Sequence, residues 1–319
     1  MIDASPAASV TAPDPPPLAA RLAVHESPWR QRLRVFMHQR SAIIGMAIIG
    51  FLILVAVFAE QIAPYSPTQV LTGIEKVKKR QPPCIHLLGC PEDQPQHLMG
   101  TDGNVRDVFS RVVFGSRVSL AVGFFTVIGA VMIGVVLGAV AGYTGRWADD
   151  GVMRALDVLL AFPALLLAIA IVSVLGPGLT NAMLAIAIVS IPIYARVMRS
   201  VVLSAKEQDY VLAARTLGAP SSRILSKHIL PNAISPLIVI ATLGIATAIL
   251  DAAALSFLGL GAQPPMPEWG AMLSAERNQV FSAPHLVFFP GLAIALTVLG
   301  FNLLGDGLRD ALDPRMKNR

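Results

Sequence analysis

Charged residues are scarce in this 319-residue chain, at 14% against 54% hydrophobic. An ordinary soluble domain carries about 25% charged residues, so a conventional water-facing globule is excluded. Cysteine is almost absent: Cys84 and Cys90 are too few for a zinc site, and the six histidines are scattered, so no metal site is expected. No Gly-x-x-x-x-Gly-Lys-Ser/Thr loop, dinucleotide fingerprint or nucleophile elbow occurs. The chain therefore offers no catalytic residues and binds no ATP of its own, and energy for any active process must come from a partner. Repeats with a period of about 20–50 residues are missing too, which removes solenoids and propellers.

Uninterrupted apolar sequence is what the chain has in plenty. Stretches of about 20 such residues identify bilayer spans, and the expected fold is an all-α integral membrane protein of six transmembrane helices. Residues 1–40 read as a cytoplasmic segment, with a disordered Pro- and Ala-rich tail over 1–28 and an amphipathic helix over 29–40 that turns Trp29 and Phe36 to the headgroups. The first span is 41–63, followed by an extracytoplasmic loop over 64–117. A five-span core over 118–305 comes next, with spans at 118–144, 155–175, 179–195, 233–257 and 285–305, and a cytoplasmic tail over 306–319 ends the chain. Pro163, Pro192 and Pro290 fall inside spans, where neighbouring helices can satisfy the freed carbonyls.

The net charge of +5 is compatible with nucleic acid or an acidic membrane surface, and its distribution favours the membrane. Five basic residues precede the first span, six lie between Arg196 and Lys227, and four follow Gly305, whereas 258–284 holds only Arg277. The positive-inside rule then places both ends and the segment 204–231 in the cytoplasm. The loop 64–117 holds seven basic residues, but it is long enough for that rule to weaken. With that loop outside, Cys84 and Cys90 are placed to close a small disulfide loop, two unpaired thiols being the alternative.

Segment 204–231 is polar between two apolar spans. Asp209 can cap a helix on which Tyr210, Ala213, Ala214 and Leu217 recur at the spacing of one apolar face. Gly218 supplies a left-handed stop. Ser221 and Ser222 can cap a second short helix that Pro231 ends. The expectation is a helix-turn-helix gripped by another protein. A hairpin lying on lipid is the blander alternative, and a DNA-reading helix pair would need a basic face that this one lacks, so no nucleic acid partner is expected.

Two acids fall within the spans. Asp157 sits near the cytoplasmic end of the third and reads as interfacial. Asp251 lies toward the outer end of the fifth, where an ionised side chain usually faces a wet cavity, so it is a candidate to line a translocation path and attract a cationic group. Hydration at the interface, or a bond to a neighbouring helix, is the alternative. Gly134, Gly138 and Gly142 recur every fourth residue on the second span and permit close helix packing, with a moving gate surface as the other possibility.

The pattern Ala213-Ala214, Gly218 and His228-Ile229-Leu230-Pro231 resembles the EAA loop of ABC-importer permeases: Glu-Ala-Ala, three residues, Gly, nine residues, Ile-x-Leu-Pro. Ala213, Ala214, Gly218, Leu230 and Pro231 match, while Leu212 stands in place of Glu and His228 in place of Ile. Residues 98–102 (Leu-Met-Gly-Thr-Asp), 106–111, 115–120, 255–261, 264–265, 268–273 and 302–310 resemble further stretches of the dipeptide and oligopeptide permeases. The resemblance covers the chain from about residue 40 to its end and points to their second permease subunit, with the type I importer fold. It implies a homologous permease as heterodimeric partner, two ATP-binding subunits that hold ATP and Mg, an extracytoplasmic solute-binding protein, peptide as substrate and surrounding lipid. It further implies that Tyr210, Ala213, Ala214, Leu217, Gly218, His228, Leu230 and Pro231 form the ATPase-coupling surface. Relatives carrying nickel chelates, glutathione or another small solute share the pattern, and a secondary transporter is the distant alternative.

The topology has a direct test. With Cys84 and Cys90 removed, single cysteines introduced at Ser221 and Ser274 should be labelled by an impermeant maleimide in intact cells only at position 274; labelling at 221 overturns the orientation.

Overall fold

The computed structural model describes residues 36–312; the expected tail over 1–28 and residues 313–319 lie outside the described residues, as does most of the amphipathic segment over 29–40. The described chain is helical, with isolated backbone bridges and no strand among these residues. In order come α1 (Arg40–Val57), the one-turn α2 (Ala59–Ile62), α3 (Val108–Thr144), α4 (Arg146–Leu160), α5 (Ala164–Leu175), α6 (Leu179–Lys206), α7 (Asp209–Thr216), α8 (Ser221–Phe257), α9 (Trp269–Glu276) and α10 (His285–Leu312).

Five of these, α1, α3, α6, α8 and α10, are long and apolar enough to cross a membrane. The span expected over 155–175 is not one continuous helix. It is a broken pair, α4 and α5, bent by 91°. Pro163 has no N–H to donate and disfavours the helical conformation at Phe162, so the helix stops at Leu160 and restarts at Ala164. Two ion pairs hold α4 against α6: Asp149 to Arg199, and Asp157 to Arg196 at 2.6 Å. α5 alone has 12 residues, about 18 Å of helix, against a hydrocarbon thickness of about 30 Å. By contrast, Pro192, Pro236 and Pro290 sit inside α6, α8 and α10 without breaking them.

Other boundaries also move outward from the apolar runs. α3 starts at Val108 rather than 118, because the Asp107 carboxylate caps it by accepting from the Ser110 N–H at 2.7 Å. α6 continues to Lys206, well past 195. α10 runs to Leu312, through residues expected to lie in the tail.

α8 is central, touching α3, α6 and α10. The main core joins Val127 and Ala130 of α3, Val172 of α5, Ile186 and Ile191 of α6, and Ala248 and Leu255 of α8. The most extensive helix contact is α3 on α6, and the three glycines make it. A Cβ at Gly134 would lie 2.7 Å from Cβ of Tyr194, one at Gly142 2.9 Å from Cβ of Val202, and one at Gly138 would collide with the Ala195 carbonyl oxygen. No larger side chain fits between these backbones.

At the opposite end of the bundle from α7, the segment joining α2 to α3 folds into a cap. Cys84 and Cys90 are joined by a disulfide with Cα atoms 5.4 Å apart, and Cys84 exchanges both backbone hydrogen bonds with His97. Arg80 donates to Glu276 of α9 at 2.9 Å, and the Gly103 N–H donates to the same carboxylate at 2.8 Å. Glu268 accepts from the Gly270 and Ala271 N–H groups and so caps α9, and the Trp269 indole donates to the Val112 carbonyl of α3. Burial pushes the Glu268 carboxyl up, and those two backbone bonds oppose the shift.

At the centre of the cap is His97, 1% exposed. Its Nδ1 lies 2.8 Å from Asp107 and its Nε2 3.2 Å from Glu75, whose other oxygen accepts from the Tyr65 hydroxyl at 2.7 Å. Only the imidazolium can donate to both carboxylates at once. Burial opposes that charge, but Asp107 and then Glu75 outweigh it and hold the His97 pKa above 6.5. A raised pKa in the folded state means that stabilisation is complete below the unfolded value and is lost as pH rises through the folded one. The thermal midpoint of the detergent-solubilised protein should therefore fall as the pH is raised above about 6.5, and His97→Gln should flatten that fall. An identical pH profile in the variant would rule His97 out as the group responsible.

Candidate functional site

The hairpin expected over 204–231 is present, with a different inner construction. Gln208 precedes the first residue of α7, so Asp209 occupies the first turn and is not the cap. The helix ends in a Schellman turn: the Gly218 N–H donates to the Arg215 carbonyl at 3.0 Å and the Ala219 N–H to that of Ala214 at 3.1 Å. That geometry needs the positive φ of +79° found at Gly218.

Pro231 does not end the second helix. α8 runs through it without interruption, and the turn before it widens to a π-helix over Ile224–Ile229, with the Leu230 N–H reaching back to the Leu225 carbonyl. A proline ring clashes with the carbonyl four residues earlier and offers no N–H, and the wider turn relieves both conflicts. The second arm of the hairpin is thus the end of a spanning helix.

α7 has two faces. Val211 is fully buried among Met198 and Val202 of α6 and Ile224, Ile229 and Ala233 of α8, with Ala214 packed against this cluster. On the other side Tyr210 is 42% exposed, Leu217 87% exposed, and Ala213 and Gly218 are exposed as well. His228 and Leu230 are half-buried and Pro231 is exposed. Around Gly218 a Cβ would meet nothing within 4 Å, so this surface is unobstructed within the chain.

Three bracing residues escaped the sequence-level analysis. Asn232 donates to the Tyr210 hydroxyl and to the His228 carbonyl, both at 3.0 Å, and ties α7 to α8. Lys206 donates to the Gly142 and Tyr143 carbonyls at 3.2 Å and so caps the end of α3. Val211 is the third; the apolar period picked out the exposed stripe, and a single inward valine gave no periodic signal.

Asp251 lies away from this hairpin, on α8 toward the cap. It is half-buried and forms no hydrogen bond or ion pair among the described residues. Asp157, expected to be interfacial, is exposed and paired with Arg196.

The family model described as binding-protein-dependent transport system inner membrane component matches residues 134–318, which include the hairpin, Asp251 and the glycine stripe. The chain belongs to this family. A second family model, the N-terminal TM domain of oligopeptide transport permease C, matches residues 27–83. Among curated relatives of this inner membrane component, the dipeptide transport system permease protein DppC of Alkalihalophilus pseudofirmus is 51% identical over 304 residues, covering 95% of each chain. The glutathione transport system permease protein GsiD of Pectobacterium atrosepticum is 46% identical, over 92% of this chain and 93% of that one. The di/tripeptide transport system permease protein DppC of Pseudomonas aeruginosa is 45% identical, over 92% and 95%. Among solved structures, a chain of the MetNI methionine ABC transporter in an inward-facing conformation aligns with a TM-score of 0.52 at 21% identity, over 64% of this chain and 97% of that one. That last likeness is one of fold, and it agrees with an all-helical importer permease.

Proposed function

We propose that this chain is one of two homologous permease subunits in an ATP-driven importer of dipeptides or oligopeptides. Two ATP-binding subunits dock on the hairpin end, which is cytoplasmic along with both termini, and an extracytoplasmic solute-binding protein delivers substrate to the capped end. The observation that carries the peptide assignment is the 51% identity to a dipeptide permease across 95% of both chains. The 46% identity to a glutathione permease supports a second reading, in which the tripeptide-like thiol glutathione is the cargo.

The hairpin suits mechanical coupling. Tyr210, Ala213, Leu217 and Gly218 present an apolar surface to a partner, and Val211 and Ala214 root the same helix between α6 and α8. Only two residues, Glu207 and Gln208, separate α7 from α6, and the Schellman turn leads straight toward α8. A displacement of α7 by closing ATPase subunits is therefore passed to two spanning helices rather than absorbed, and α8 touches α3 and α10 in turn. Asp251 lines the translocation path on the part of α8 nearest the cap.

Reconstituted with its partners and a peptide-type binding protein, the complex should take up labelled di- and tripeptides in an ATP-dependent way. Uptake of glutathione without peptide uptake would select the second reading, and uptake of neither would overturn both. Gly218→Val strains the turn by on the order of 1 kcal/mol or more and adds bulk on the docking face. The variant should reach the membrane in near-normal amount yet lose bound ATPase subunits, or keep them without stimulation by loaded binding protein. Gly218→Asn tolerates positive φ and should fall between the two. Parental transport by Gly218→Val would remove the hairpin as the coupling element.

A further inference from the structure

Asp251 lies about 9 Å along the α8 axis from Phe257, well inside an apolar helix. This chain covers two sides of α8 at that level. Ala248, Ala252 and Leu255 pack into the core shared with α5 and α6, and Ala246 and Ile249 into a second core with α1 and α10. The stripe that remains carries the exposed Thr247, Leu250 and Phe257 and the half-buried Asp251. Its one charged group is Asp251. Asp149 and Asp157 on α4 each have an arginine of α6, and Glu60 beyond α1 has Arg117, whereas Asp251 has no partner among the described residues. A carboxylate held at this depth is expensive unless something brings it a positive charge.

From this geometry we infer that Asp251 binds the amino-terminal ammonium group of the transported peptide. The inference rests on the peptide reading above, and it survives the glutathione alternative because that molecule carries an ammonium group too. An ammonium is a compact cation with three donors, and it matches a lone carboxylate better than any neutral part of a peptide. It is also the one cationic group that every unmodified peptide carries whatever its side chains. A single acid on an otherwise apolar stripe thus selects for the peptide end and stays indifferent to sequence.

The experiment has two arms. In the wild-type complex in detergent, a hydrophobic carbodiimide should modify Asp251, as read by mass spectrometry. A millimolar tripeptide with a free amino group should protect it, and the des-amino analogue should not. In proteoliposomes with saturated binding protein, the free tripeptide should enter about tenfold or more faster than its des-amino analogue, the effect of one charged hydrogen bond. Asp251→Asn should bring that ratio close to one, and Asp251→Glu should keep it. Equal protection by both peptides, or a preference that survives Asp251→Asn, overturns the inference. So does an Asp251 that takes no label because a cation of the second permease already holds it. If Asp251→Asn fails to assemble, the labelling arm on the wild type decides. Failure of the peptide reading itself shows differently, as a wild-type complex that takes up no tripeptide at all.

Discussion

Hydrocarbon offers a peptide backbone nothing to hydrogen-bond with, and the architecture of this permease follows from that constraint. Each apolar run must close its own hydrogen bonds as a helix, so the described residues form five long apolar helices and one broken pair. Departures from regular helix occur where another group makes up the deficit or where the backbone leaves the hydrocarbon. Pro231 is accommodated by a π turn at the bundle end, and Pro163 stands at a bend next to a helix that carries charges toward arginines of α6. Where the backbone has no cost to avoid, side chains decide: the glycines of α3 bring it against the α6 backbone, which anchors the largest interface of the fold.

The hairpin over 204–231 shows how packing holds a short helix in place. An isolated helix of eight residues would be marginal in water. Here Val211 is buried, Asn232 clamps the Tyr210 hydroxyl, and a Schellman turn fixes the exit. The surface left over is apolar and exposed, while the buried side sits between two spanning helices. Leu212 is 44% exposed, so a leucine where the EAA pattern has glutamate alters the exposed face and leaves the hairpin's own packing intact.

Much of this was legible in the sequence because the signals are local. Apolar run length gives the spans, a repeat of four gives the glycine contact, and a glycine after an alanine-rich turn gives the left-handed stop at Gly218. What escaped depends on partners distant in the chain. The bend at Pro163 looks like the proline in α6 until Arg196 and Arg199 are placed beside α4. Pro231 reads as a terminator because proline usually is one, and only the widened turn reveals a continuous helix. His97 gives no sign in the sequence that two carboxylates, 22 residues before it and 10 after it, will meet its ring.

The bond from Arg80 to Glu276 spans 196 residues of chain. At about 5–20 residues per second, a ribosome takes roughly 10–40 s to make that stretch. During that interval the cap segment has left the first helix but lacks the carboxylate that fastens it, and α9, against which it rests, does not yet exist. The fastening of the cap to α9 is therefore among the last contacts of the molecule to form, and it marks a chain in which α8 and α9 have already been made.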